Sequence, residues 1–323
     1  MTLAETLRLE PLSDDLVRVE AALSDAVRHQ DRFLGDVASH LVGAGGKRVR
    51  PTLTLCSAYA ATRGRPATDE AVTGAVAVEL VHLGSLYHDD VIDEAETRRG
   101  VPSVNARWSN IVAILSGDYL LARASALAAS LGADVAGLLA DTIGELCRGQ
   151  VLELQHLFDV DRTEEGYSSA IEGKTAALFA SSCRIGGMVA GVDEPGLDAL
   201  TRYGHHVGMC FQIVDDVLDI TATDDTLGKP SGQDLVEGVY TLPVIYALEH
   251  SASLRELLAQ PLDGERLDEA RKLAASNGSV TAALGVARDH AAQAGAALSG
   301  TELDTDVREA LTRLVGGLVE RES

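Results

Sequence analysis

Residues 68–93 read TDEAVTGAVAVELVHLGSLYHDDVID. Thr68 is a good N-cap, Asp69 and Glu70 suit the positive end of a helix, and Val76, Leu80 and Leu83 recur at helical spacing. The stretch predicts one long helix, apolar through its body and ending in three aspartates. At about 100° per residue, Asp89, Asp90 and Asp93 share an arc of about 100° on one face. Aspartate competes with a helix for backbone hydrogen bonds, and adjacent carboxylates repel by about 4 kcal/mol at about 4 Å where the effective dielectric is near 20. Something cationic has to offset that.

The same word returns 126 residues later as Asp215-Asp216-Val217-Leu218-Asp219. Pro195-Gly196 followed by Leu200, Val207, Phe211 and Val214 predicts a second helix, with this triplet near its C-terminal end. One such motif alone reads as a solvated helix face. Two copies inside apolar helices point to a shared ligand. Hard oxygen donors suit Mg²⁺, which takes one or two carboxylates and completes its shell with water and phosphate oxygens. The expected use is Mg²⁺ bridging the chain to a diphosphate.

Working outward, 323 residues allow one large domain or two ordinary ones. Hydrophobic residues make up 46% but aromatics only 4%, and β-branched residues rarely alternate, so packed helices are expected rather than sheet. Helical patterning runs from about Leu12 almost to the end without a Pro- or Gly-rich linker, which predicts a single all-α domain over residues 1–323. The last sixty residues read as scaffold. A net charge of −22 argues against nucleic acid and against attraction to anionic lipid. Cys56, Cys147, Cys183 and Cys210 lie singly in apolar helical contexts and read as buried, reduced thiols. No apolar leader follows a basic start, and no uncharged run approaches the roughly 18 residues that span a bilayer, so a cytoplasmic protein with no transmembrane segment is expected.

In so acidic a chain the cations stand out. Gly45-Gly46-Lys47-Arg48-Val49-Arg50-Pro51 precedes an apolar helix, as an anion site would, although a solvated basic turn reads equally well from these residues alone. It is not a Walker A loop, because Arg48 follows the lysine and no strand precedes. Arg98-Arg99-Gly100 follows the first triplet, and Lys174 and Lys229 are expected near helix–loop boundaries. Residues 221–240, TATDDTLGKPSGQDLVEGVY, suggest a mobile lid beside the second triplet. His82, seven residues before Asp89, projects on nearly the same face about 10 Å earlier along the axis. His88, His205 and His206 read as core histidines satisfied by backbone carbonyls. No Ser-His-Asp, Cys-x-x-Cys or His-x-x-x-His arrangement is evident, so nucleophilic and zinc chemistry recede.

The motifs GGKRVRP, HLGSLYHDDVIDEAETRRG, GKTAALF, FQIVDDVLD, GKPSGQDL and EGVYTLP, in that order from about Ala44 to Tyr246, closely resemble the trans-isoprenyl diphosphate synthases, or polyprenyl synthetases. The resemblance implies an all-α bundle of the isoprenoid synthase type around a central cavity, usually a homodimer, with the two acidic claws opposed across the mouth. It implies Mg²⁺ ions holding the diphosphate of an allylic prenyl substrate. Asp89, Asp93 and Asp215 would be direct ligands, and Asp90, Asp216 and Asp219 would complete the acidic shell. Arg98, Lys174, Thr175, Gln212 and Lys229 would lie near the allylic diphosphate, and Lys47, Arg50, His82 and Arg99 would hold isopentenyl diphosphate. The implied reaction condenses the two substrates, five carbons at a time.

Family comparison also puts a length gauge at the fifth and fourth positions before Asp89. Here these are Gly84 and Ser85, whose small side chains, with the unexpanded DDVID spacing, favour a medium-to-long all-trans product. Against that, Tyr87 and the pair Met209-Cys210 are bulkier than is usual there, and deep channel residues are looked for around Trp108 and Ile111. A farnesyl or geranylgeranyl diphosphate synthase is the alternative within the class. A terpene cyclase would mix Asn, Ser or Thr with Glu in its second motif, and a non-catalytic partner subunit would show one eroded claw.

Overall fold

The computed structural model describes residues 3–62, 65–223 and 231–319. Among them the only sheet is a pair of two-residue antiparallel strands, Thr97–Arg98 and Val101–Pro102, and the fold is all-α. Packing divides the chain into two compact units, each assembled from separate stretches. The first comprises Met1–Ile143, Leu178–Gly204 and Ala297–Arg313, and the second Gly144–Ala177, His205–Ala296 and Leu314–Ser323.

In the first unit the Asp69–Ile92 helix has the predicted bounds. The Thr68 hydroxyl accepts from the Ala71 N–H, and Asp93 closes the helix by donating its N–H to the Asp89 carbonyl at 2.8 Å. Its start is anchored by buried Asp15, which accepts from the Tyr59 hydroxyl and the Ala67 N–H, both at 2.7 Å. Its body packs along the Asn110–Ser130 helix. A Cβ on Gly84 would meet the Gly117 carbonyl at 3.1 Å and Leu121 at 3.2 Å, and one on Gly117 would collide with the His88 ring. The two glycines thus let the helix backbones approach closely.

Several expectations need correcting here. Gly84 faces the neighbouring helix, so its small size serves packing as well as any channel. Trp108 stacks edge-on with Phe33 and His40 under the Arg107 guanidinium, and Ile111 is 70% exposed, so neither is a deep residue of this unit. Tyr87 is buried with its hydroxyl donating to the Val37 carbonyl at 2.8 Å. Cys56, Cys183 and Cys210 are buried, but Cys147 is exposed. Asn110–Ser130 is long and apolar enough on average to cross a membrane, although it carries Asp118 and Arg123, and Arg123 is tied to the Ala26 carbonyl at 2.8 Å.

The Glu194–Thr221 helix starts one residue before Pro195, with the Asp193 side chain accepting from the Gly196 N–H at 3.1 Å, and carries the second triplet in its last two turns. In the second unit the Glu164–Ile171 helix runs directly into a π-helical turn, Glu172–Ala176. Lys174 therefore sits inside a helical stretch and not at a helix–loop boundary. The lid segment is partly helical: Gln233–Glu237 is bounded by Gly232 and Gly238, both left-handed, while residues 224–230, Lys229 among them, lie outside the described residues. Tyr240, Val244, Leu254 and Ala270 form the core beneath it. The C-terminal helices Gly264–Ala274, Ser279–Ala297 and Thr305–Val319 supply packing, as expected of scaffold.

Candidate active site

In the first claw Asp90 is fully buried and accepts from Arg98 Nε at 2.6 Å, and among the described residues its Oδ2 has no hydrogen-bond partner. Burial pushes this carboxyl above the ordinary range, and Arg98 pulls it back. The tight turn that returns Arg98 to Asp90 has positive φ at both Arg99 (54°) and Gly100 (75°), the conformation two-residue hairpins favour. Asp89 and Asp93 are half-buried beside it.

That same turn sends Arg99 toward the basic loop. Arg99 Nη1 donates to the Gly45 carbonyl and, at 3.3 Å, to the Leu41 carbonyl. Gly46 must be glycine, because φ is +151° and a Cβ would lie 2.9 Å from the Arg99 guanidinium. Arg50 stacks over Phe179 at 4.7 Å, and among the described residues its buried Nε has no hydrogen-bond partner. Burial lowers its pKa to about 10. Burial, with Arg50, Arg99, Arg48 and Arg98 nearby, holds the His82 imidazole well below its ordinary value, hence neutral. Lys47 is exposed at the rim. Four residues expected to bind one anion thus lie in one unit, three of them within electrostatic reach of one another.

The second unit holds a pocket around the second claw, lined by Asp215, Asp216, Asp219 and Asp234 with Glu153, Lys174, Gln212 and Arg162. Asp215 is exposed. Asp216 is buried and doubly held: the Tyr167 hydroxyl donates to Oδ2 at 2.5 Å, and Gln212 Nε2 donates to Oδ1 at 2.8 Å. Burial raises this carboxyl to about 7, against those two bonds. Thr175 Oγ1 donates to Gln212 Oε1 at 2.7 Å, which fixes the amide orientation. Lys174 Nζ donates to Glu153 at 2.5 Å. Asp219 accepts from the Asp234 N–H at 3.3 Å, tying the claw to the Gln233–Glu237 helix.

The π turn explains how Lys174 and its neighbour Thr175 serve one pocket. A wider turn reorients successive side chains, and such turns recur at functional sites. Here the turn packs backbone to backbone: a Cβ on Gly173 would lie 2.7 Å from the Glu145 carbonyl, and one on Gly149 would collide with the Lys174 N–H.

Residues 31–276 match the polyprenyl synthetase family. The chain belongs to that family. It is 42% identical over 314 residues to the nonaprenyl diphosphate synthase of Mycobacterium tuberculosis, covering 95% of this chain and 92% of that one. Over 238 residues it is 48% identical to heptaprenyl diphosphate synthase component 2 of Geobacillus stearothermophilus, covering 73% of each. The polyprenyl synthase of Caulobacter crescentus, solved with calcium and isoprenyl diphosphate, superposes with a TM-score of 0.92 at 33% identity, covering 100% of this chain and 98% of that one. This polyprenyl synthetase is a prenyltransferase.

The donor set fits a hard divalent ion. Among the described residues no three His, Cys, Asp or Glu groups converge into a closed cage. The fit rests on donor chemistry alone: the triplets offer carboxylate oxygens, the hard ligands Mg²⁺ prefers. Sequence reasoning missed Arg48, Glu79, Tyr167, Arg162 and Glu153. Glu79 carried a signal, as a lone acid inside the run AVAVELVHL three residues before His82. Tyr167 and Arg162 carried none, because their role depends on how the Glu164–Ile171 helix meets the claw.

Proposed function

We propose that this polyprenyl synthetase condenses isopentenyl diphosphate with an allylic prenyl diphosphate, releasing diphosphate and extending an all-trans chain to medium or long length. The observation that carries the reading is the repeated claw: in each triplet the middle aspartate is buried and held by a protein donor, while Asp89 and Asp93 are half-buried and Asp215 is exposed. We take the whole chain as one functional domain, since the family match runs through both compact units. On this reading each claw turns carboxylates toward Mg²⁺, Asp89 and Asp93 in the first and Asp215 in the second, with Asp90, Asp216 and Asp219 completing the acidic shell.

When bound, Mg²⁺ neutralises negative charge developing on the departing diphosphate. Lys174 sits at the edge of the second-claw pocket, where its ammonium assists that departure, and Thr175 and Gln212 keep Asp216 aligned. Arg50, Arg99, neutral His82 and Lys47 hold isopentenyl diphosphate so that its double bond faces the allylic cation. Proton loss ends each round. The released diphosphate takes up that proton.

The outer face of the Asn110–Ser130 helix exposes Ile111 at 70% and Leu115 at 62%, with Ile114 beside them. We take this apolar face as the surface that a second copy covers, giving a cytoplasmic homodimer. The test is direct. Asp89→Ala and Asp215→Ala abolish diphosphate release while retaining helical circular dichroism, and wild-type products from farnesyl diphosphate and labelled isopentenyl diphosphate exceed twenty carbons after dephosphorylation. Full activity in either variant overturns the metal assignment, and products that stop at twenty carbons overturn the length.

A further inference from the structure

Arg48, between two cations expected to bind substrate, points the other way. It has φ +48°, an uncommon and strained conformation for a side chain of its size, which persists only when the surroundings over-determine it. They do. Its Nε and Nη2 donate to Glu20 at 2.5 and 3.1 Å, its Nη1 to Glu79 at 2.8 Å and to the Gly45 carbonyl at 3.3 Å, and its Nη2 also to the Val42 carbonyl at 3.2 Å. The side chains of Arg48 and Glu79 are 6% and 2% exposed.

Glu79 is the common counter-charge of the cluster. Its carboxylate interacts electrostatically with Arg48, Arg50 and Arg99. A buried acid left unpaired costs far more than a paired one, and three gathered guanidiniums repel one another without it. A chain of contacts also links it to the anion site: Glu79 holds Arg48, Arg48 holds the Gly45 carbonyl, and that same carbonyl accepts from Arg99. Arg48 further accepts the first helical hydrogen bond of the Val49–Thr62 helix through its carbonyl, from Thr52 N–H at 3.0 Å, which sets where Arg50 emerges.

We propose that Arg48 and Glu79 are positioning residues for isopentenyl diphosphate: their buried ion pair fixes the Gly45–Val49 turn and gathers Arg50, Arg99 and His82 into one diphosphate cradle. The inference rests on the reading of that cluster as the isopentenyl diphosphate subsite.

The test compares Glu79→Gln, Glu79→Asp and Lys47→Ala in the full chain, measuring KM for isopentenyl diphosphate, KM for farnesyl diphosphate, and kcat. Glu79→Gln is expected to raise the isopentenyl KM about tenfold, ~1.4 kcal/mol, while the farnesyl KM moves by less than about twofold. Glu79→Asp, which keeps the charge, recovers part of the loss. If Lys47→Ala raises the isopentenyl KM and Glu79→Gln does not, the positioning role is wrong and the subsite reading stands. If neither variant moves it, the subsite reading falls and takes this inference with it. A parallel rise in both KM values with a lowered melting temperature marks a general fold defect and also overturns the proposal. Should Glu79→Gln not fold, Glu20→Gln loosens Arg48 from its solvent side and is expected to raise the isopentenyl KM about threefold; no change there is equally fatal.

Discussion

The Tyr167 hydroxyl meets Asp216 Oδ2 at 2.5 Å, and Arg98 Nε meets Asp90 Oδ1 at 2.6 Å. In each acidic triplet the second aspartate is therefore a fixed post; Asp89 and Asp93 beside the first are half-buried, Asp215 beside the second is exposed, and Asp219 is buried with it. A carboxylate committed to a short charge-assisted hydrogen bond in a buried site is poorly placed to move onto a metal. The two posts use different chemistry, a neutral phenol in one claw and a guanidinium in the other. Their consequences differ.

Tyr167→Phe removes only the hydroxyl and leaves a buried carboxylate short of one donor, a loss of about 1.5–3 kcal/mol. The expected result is a Mg²⁺ requirement raised about tenfold with helical content retained. Metal titration of initial rate measures it. A Tyr167→Phe enzyme with the wild-type Mg²⁺ dependence would show that Asp216 needs no such post.

The π turn makes a structural prediction. Gly173→Ala puts a Cβ 2.7 Å from the Glu145 carbonyl, so either the turn or the Ala133–Gln155 helix must shift. Overpacking of this kind costs about 1–3 kcal/mol. The variant should melt lower and lose activity beyond what stability explains, because Lys174 and Thr175 move with the turn. Thermal unfolding alongside kcat at low temperature separates the two. Unchanged kcat at full folding would uncouple the turn from the site.

Product length divides Gly84 from Ser85. Gly84→Phe drives an aromatic ring into Gly117 and Leu121, so it is expected to destabilise the helix pair. Ser85 is half-buried and its hydroxyl donates to the His82 carbonyl at 2.9 Å. Ser85→Phe is the substitution expected to shorten products while the chain stays folded, read by sizing dephosphorylated products. Wild-type lengths from a folded Ser85→Phe enzyme would remove this position from the gauge.

What the sequence made legible was local. Helix periodicity, the Thr68 cap and the Asp-x-x-Asp spacing depend on neighbours within a few residues, and the Asp69–Ile92 helix follows them to its ends. The basic residues were legible as a group but not by role. Nothing in Lys47-Arg48-Val49-Arg50 reveals that the middle arginine turns inward, since that depends on Glu20 and Glu79, 28 and 31 residues away. The π turn was hidden for the same reason, because it packs against Gly149, a contact that local sequence does not reveal. Deep channel residues are looked for around Trp108 from sequence, but it stacks among Phe33, His40 and Arg107, and its contacts with Phe33 and His40 come from distant parts of the chain.

His82 yields a prediction in pH. Burial and the surrounding arginines lower its pKa well below the ordinary imidazole value, so the folded chain binds fewer protons here than the unfolded chain does below about pH 6.5. Stability from this group is fully present above that pH and is lost as pH falls toward the folded pKa. Urea unfolding of wild type and His82→Gln between pH 5 and 7 should show a shallower acid-side loss in the variant, which has no proton to take up. The neutral ring offers one N–H to a diphosphate oxygen, so the isopentenyl KM should show no inflection from this residue between pH 6 and 8. A histidine ring signal assigned to residue 82 that titrates near 6.5 would contradict both expectations and the half-buried, cation-ringed setting behind them.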